Sequence, residues 1–392
     1  MSRRRAVALL ALVAVLLSGC ARSPDTDADT DVRPLTLAWQ PLTLPAPPGP
    51  PGRLLVRDAV ACADRWYVVG AVADEVGDTR PAAWSSPDGV TWTALRTLPI
   101  SHYGRQHVLY SVACRDGRIA LLGAKSGGAH GNPRTATWRQ SPDGALSEVA
   151  APFELFGGPR AVNVARIAAG PSGWLIAGSR RDGAAVWSSA DADRFVLREG
   201  AAELAGDGRG RTSAHDAAAG SSGWFVAGSL LPAGGTSLLP VAWTSSDGVA
   251  WRRWMLPAVT GAGQAHRVAR VGSAVVVVGS RGDGFGAWRW DGAGWREAGA
   301  FGAAAGPGVA WVDGLAVAGE QVVAVAGDGG GYGMWISPDA GGSWRPVGLP
   351  AVVPDGGDSA VVVAGAGDRV VVAADDGNSS QVWSASVRDV GR

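Results

Sequence analysis

The chain has 392 residues, with 35 basic and 35 acidic side chains, so its formal net charge is zero. Without a basic field, neither nucleic acid nor an anionic membrane surface is expected as the main partner. Hydrophobic residues at 46% are enough for a large core, and 58 Gly among many short apolar runs point to an all-β chain rich in turns.

Residues 1–20 read as a targeting segment rather than fold. Arg3, Arg4 and Arg5 precede the apolar run "AVALLALVAVLL", which is too short to span a bilayer comfortably. The run ends in "LSGC", Leu17 to Cys20, which resembles the lipobox of bacterial lipoproteins. That resemblance implies acylation of Cys20 and a protein held on the extracytoplasmic face of the cell membrane by its lipid alone. Residues 21–34 alternate Asp with small polar residues and read as a solvated tether. They lack the Gly and Glu of an EF-hand loop, and no metal or other cofactor is expected.

From residue 35 a phrase begins to repeat. "WSSPDGVTWTALRTLP" from Trp84 returns as "WTSSDGVAWRRWMLP" from Trp243 and "WISPDAGGSWRPVGLP" from Trp335. The opening Trp recurs at 84, 138, 187, 243, 288, 335 and 383, at intervals of 45 to 56 residues. A β-rich run precedes each one, such as "WYVVGA", "WLIAGS" and "VVVVGS", and a further short apolar run precedes that. Each unit therefore predicts four short strands, the signature of a β-propeller blade. Six units are complete, and the seventh lacks its last strand. The orphan "LAWQPLTLP", Leu37 to Pro45, matches that missing strand, so residues 35–45 are expected to close a seven-bladed ring over residues 35–390. Closure removes an exposed sheet edge. The recurring Trp are expected to pack between blades as core.

"SPDAGGSW", Ser337 to Trp344, resembles the Asp-box of sialidases and related BNR-repeat propellers, and "SPDGVTW" from Ser86 and "SSDGVAW" from Ser245 are shorter copies. The resemblance implies a turn-forming role for Asp88, Asp247 and Asp339, with Trp92, Trp251 and Trp344 stapling each turn, on the face opposite most propeller binding sites. It implies nothing about activity by itself. A sialidase needs an Arg cluster, a Tyr nucleophile with a Glu partner and an Asp acid/base. The chain has only four Tyr and no Arg-Ile-Pro signature in its first blade, and the ring counts seven blades where sialidases usually have six.

Polar residues at the upper rim form the candidate binding site: Arg105, His107, His130, Arg166, His215, Asp216, His266 and Arg267. The alternative is that strands exclude such residues and loops collect them. No His pair shares a ligand-like spacing with a carboxylate, so no metal site is expected. Cys62 and Cys114 occupy equivalent positions in neighbouring blades and read by default as two small buried thiols, with a disulfide as the alternative. The reading favours a monomeric, non-catalytic binding or scaffold protein for an unknown protein or cell-wall glycan. A sialidase-like glycoside hydrolase and an assembly factor for a membrane complex are the alternatives.

Overall fold

The computed structural model describes residues 33–127, 131–257, 262–306 and 308–388. Cys20, residues 21–32 and His130 lie outside them. Among the described residues, no helix is long and apolar enough to cross a membrane.

Seven sheets form the seven blades. Within each blade the strands run antiparallel in chain order from the axis outward, as in blade 1 with Arg53–Cys62, Arg65–Ala73, Thr79–Ser86 and Thr93–Ala94. In blade 7, Ala360–Ala366, Arg369–Asp375 and Ser380–Ser386 are joined by Gln40–Leu42 as the outermost strand. The register places Gln40 against Ser384 and Pro41 against Trp383. This is the expected ring closure. The same segment also grips blade 6, because the Leu35 amide donates to Pro346 O at 2.8 Å and Trp39 Nε1 donates to Gly348 O at 2.9 Å. Blade 2 departs from the four-strand plan. Thr97–Leu98, trailing from blade 1, adds in parallel to its outer strand Leu146–Glu148.

The core is divided. Seven apolar clusters each lie between two neighbouring sheets, so every blade is stabilised by the next one. Trp84, Trp138, Trp187, Trp243 and Trp288 are fully buried in them. Each of these indoles also grips the segment that leads into its own blade. Trp84 donates to Pro45 O, Trp187 to Leu155 O and Trp243 to Glu203 O, all at 2.7 Å. Trp288 donates to Pro257 O at 2.6 Å, and Trp138 to His107 Nδ1 at 3.1 Å. A buried indole N–H usually finds such a partner, and here the bond ties the third strand of each blade to the segment that enters it.

The Asp-box turns form as the motif implies. Asp88 accepts from the Ser86 hydroxyl and from the amides of Val90 and Thr91. Asp247 does the same with Ser245, Val249 and Ala250, and Asp339 with Ser337 and Ser343. These bonds favour the charged form and hold all three carboxylates below the ordinary range. Trp92 and Trp251 are buried beside their turns, while Trp344 is half-buried and donates to Gly341 O.

Cys62 and Cys114 are joined as a disulfide, which corrects the default reading of two thiols. Their strands, Arg53–Cys62 and Val108–Arg115, are the innermost of blades 1 and 2. Near the axis, equivalent positions of adjacent blades come as close as 5.5 Å between Cα atoms, within the usual bridging range. Replacing both Cys by Ser is expected to lower stability by about 2–4 kcal/mol, because the bridge closes a loop of 52 residues. Urea unfolding of the two forms measures it.

Candidate functional site

The innermost strands of blades 1 to 6 share one irregularity. Each pairs with its second strand through a register shift at the same place, passing over Arg57, Tyr110, Ala165, His215, His266 and Asp313 in turn. A β-bulge of this kind turns side chains off the sheet's regular alternation. The glycine in "VVGA" and its relatives makes room for the bulge. A Cβ at Gly70 would stand 1.7 Å from Leu55 O, and one at Gly279 would stand 1.8 Å from Gln264 O. The second strand carries Gly at this place in blades 1 to 5, and blade 6 has the small Ala326 instead.

The result is a ring of polar side chains around the axis. Asp58 Oδ2 accepts from the Val112 amide at 2.8 Å and from Arg166 Nη2 at 2.7 Å. Ser111 Oγ accepts from the Ile167 amide at 3.1 Å, and Asp216 Oδ2 from the Val268 amide at 3.1 Å. Arg166 Nε lies 3.6 Å from Asp216 Oδ1. His266 Nδ1 accepts from the Val312 amide at 3.0 Å, and Arg267 Nε donates to Asp313 O at 2.9 Å. Each bond but one runs from one blade to the next. The exception, Arg166 to Asp58, passes over blade 2, which offers only the short Ser111 at this level. On the other side of blade 1, Arg57 pairs with Asp375 of blade 7 at 2.7 Å.

Above this ring a cavity of 480 Å³ opens, lined by Arg57, Tyr110, Arg166, His215, Arg267, Asp313 and Tyr332 among others. Burial raises the pKa of Asp216, partly offset by Arg166 and Arg267. Burial pushes Asp313 up to about 6, against the pull of Arg267 and with help from Asp355. Burial works against the charge of Arg166, but Asp58 and Asp216 outweigh it and raise its pKa. His266 stacks on Trp311 with ring centroids 3.6 Å apart, and His215 meets the same indole edge-on. His215 Nδ1 is placed to donate to Ala265 O.

Of the expected rim residues, Arg166, His215, Asp216, His266 and Arg267 come together here, but as members of strands rather than loops. His107 does not join them. It is buried beneath Trp138 and borders a second cavity. Arg105 is exposed on a single 3-10 turn, and its guanidinium donates to Ser101 O. Asp58, Asp313, Tyr110 and Trp311 escaped the sequence reading.

The second cavity, 380 Å³, lies on the rim at blade 2. The chain entering the blade supplies Ile100 and Tyr103, its third strand supplies Arg134, and the segment leaving it supplies Phe153. Ile100, Tyr103 and Phe153 are exposed. The Arg134 guanidinium carbon lies 5.4 Å from the Tyr103 ring and 4.7 Å from the Phe153 ring. Glu148 anchors the floor by accepting from the amides of Ile100 and Ser101.

No protein-family model matches the chain, and no curated protein matches it by sequence. Solved structures do match it. A puromycin-hydrolyzing peptidase of Mycobacterium tuberculosis superposes with a TM-score of 0.53 at 14% identity, over 89% of this chain and 55% of that one. Trypanosoma rangeli sialidase, in complex with the inhibitor DANA, gives 0.47 at 11% identity, over 86% and 56%. The propeller domain of the Trilobed protease from Pyrococcus furiosus gives 0.49 at 9% identity, over 86% and 97%. The likeness is one of fold. This chain spans a little over half the length of the peptidase and the sialidase. Among the described residues, no group of three or more His, Cys, Asp or Glu could hold a metal ion.

The buried histidines make stability depend on pH. Burial lowers His107 and His215 from 6.5 to about 4, with Glu148 pulling His107 partly back up, and takes His266 well below 6.5. The unfolded chain then binds more protons below about 6.5, so stability is lost as pH falls toward about 4. Asp313 acts the other way. Its folded pKa of about 6 exceeds the unfolded 3.8, so protonation between those values favours the fold. The thermal midpoint is expected to drop between about pH 7 and about pH 4.5, and more steeply in Asp313→Asn. A midpoint flat across that window would refute the assignment.

Proposed function

We propose that the chain is a non-catalytic binding protein, held at the extracytoplasmic membrane face by a lipid on Cys20, which receives a protein partner at the blade 2 rim cleft. The observation that carries this reading is the internal commitment of the channel's three arginines. Three arginines line that cavity, as a carboxylate-binding enzyme would require. Yet Arg57 is held by Asp375 and Val56 O, Arg166 by Asp58, and Arg267 by Asp313 O and His266 O. The Tyr110 hydroxyl donates to Val164 O at 2.7 Å, and no Glu lines the cavity among the described residues. These groups brace the ring, and among the described lining residues no Glu stands by as the partner a sialidase-type Tyr would need.

The rim cleft has the opposite character. Its aromatic rings are exposed around a cation, and Arg134 Nε is buried without a partner. That suits a partner segment with an acidic group beside an apolar side chain. The test is site-specific photo-crosslinking in intact cells, from position 153 on the cleft and from exposed position 249 on the Asp-box face. A single partner captured from 153 alone, and lost in Arg134→Ala, is the expected result. Equal capture from both positions would refute the cleft.

One observation favours the hydrolase reading, namely the three channel arginines. Sialoside turnover that disappears in Arg267→Ala would establish it and overturn the non-catalytic reading.

A further inference from the structure

Blades 4 and 5 carry two indoles that the ring does not call for. Trp290 stands two residues after Trp288, the place where Ser86, Ser189, Ser245 and Ser337 follow the opening Trp of other blades. Those hydroxyls all donate to an Asp-box Asp. Trp254 stands three residues after Trp251, where blade 1 has Leu95 after Trp92. Both indoles are only half-buried, unlike the ladder Trp beside them. They meet at 5.1 Å in an edge-to-face contact, and Arg252 covers the face of Trp254 at 3.9 Å. Trp254 Nε1 donates to Thr244 Oγ1 at 2.9 Å, which fixes its ring.

The two indoles border a cleft of 450 Å³ between the blades, at the Asp-box end. Its lining is unusual for a peptide pocket. Four Trp are present with Arg252 and several Ser and Thr, and there is no Val, Leu, Ile, Met or Phe. Large flat apolar surface combined with hydroxyl and guanidinium groups matches a pyranose ring, which offers C–H groups on its faces and hydroxyls around its edge. The volume falls within the range of small-ligand sites.

We infer that this cleft binds a β-1,4-linked pyranose chain. Equatorial linkages keep one ring face free to lie against Trp290, while Arg252 and the exposed Ser222 reach its hydroxyls. The site is separate from the blade 2 rim and does not depend on what binds there. The test is calorimetric titration of the full-length chain with N-acetylchitotetraose and cellotetraose, with α-linked maltotetraose as a control for linkage. Binding of at least one β-linked probe is expected, with maltotetraose weaker. Trp290→Ser combined with Trp254→Leu places residues that other blades already tolerate. This pair is expected to weaken binding by about tenfold or more. Arg252→Ala, at an exposed position, is expected to weaken it without moving the thermal midpoint, and Arg134→Ala should leave it unchanged. Absence of binding by both β-linked probes at millimolar concentration, or wild-type affinity in both Arg252→Ala and the double variant, would overturn the assignment. So would maltotetraose binding as tightly as the β-linked probes.

Discussion

Deletion of residues 33–42 is expected to abolish the soluble monomer. Those residues supply the outermost strand of blade 7, and without them Ser380–Ser386 becomes a free edge. Leu37 also leaves the cluster shared by blades 6 and 7, and the bonds of Leu35 and Trp39 to blade 6 are lost. Size-exclusion chromatography should then show aggregate or a swapped oligomer. A rescue separates closure from general damage. Leu37 and Val387 are buried in one cluster, so "LAWQPLTLP" grafted behind Val387 through a short turn can pair as a hairpin in the same register. The grafted chain should regain a monomer with a near-native melting midpoint. A truncated chain that stays monomeric and melts unchanged would remove ring closure as the basis of the fold.

Arg166→Met is expected to cost on the order of 3 kcal/mol, the second large effect, because it leaves Asp58 buried with its charge uncompensated. Asp216 loses a neighbour in the same step. Adding Asp58→Asn and Asp216→Asn should return much of the loss, since the carboxylates no longer need a cation, and the three changes will not be additive. Equilibrium urea unfolding of the single and triple variants measures both. If Arg166→Met unfolds at the wild-type midpoint, the channel arginine is not a brace, and a ligand-binding role for it becomes the better reading.

The ring was legible because its signals are local. The phrase around each opening Trp sets a strand, a turn and a strand within a few residues, so the orphan near Trp39 could be matched to its missing place. The Asp-box turns were readable for the same reason. The channel was not. Asp58 and Asp313 lie inside apolar runs that read as plain strands, and His215 and His266 read as rim residues although both lie within innermost strands. A one-residue bulge decides which of these side chains turns toward the axis, and periodicity alone does not place a bulge. The signal was present in the partner strand, where Gly70, Gly123, Gly178, Gly228 and Gly279 recur opposite the irregularity. The disulfide and the fifth strand of blade 2 depend on distances between blades, which no single repeat encodes. The rim cleft is assembled from three separate segments and had no motif of its own.

The clasp at Leu35 to Leu42 has a mechanical consequence. A pull on the chain ahead of Leu35 is not felt first by the closing strand. It meets the two backbone hydrogen bonds between Leu35 and blade 6, then the Trp39 indole, and only afterwards the pairing of Gln40 with Ser384. Tension arriving from that side is therefore shared by two sectors before it can peel either one open, and the first rupture under load leaves the circle whole.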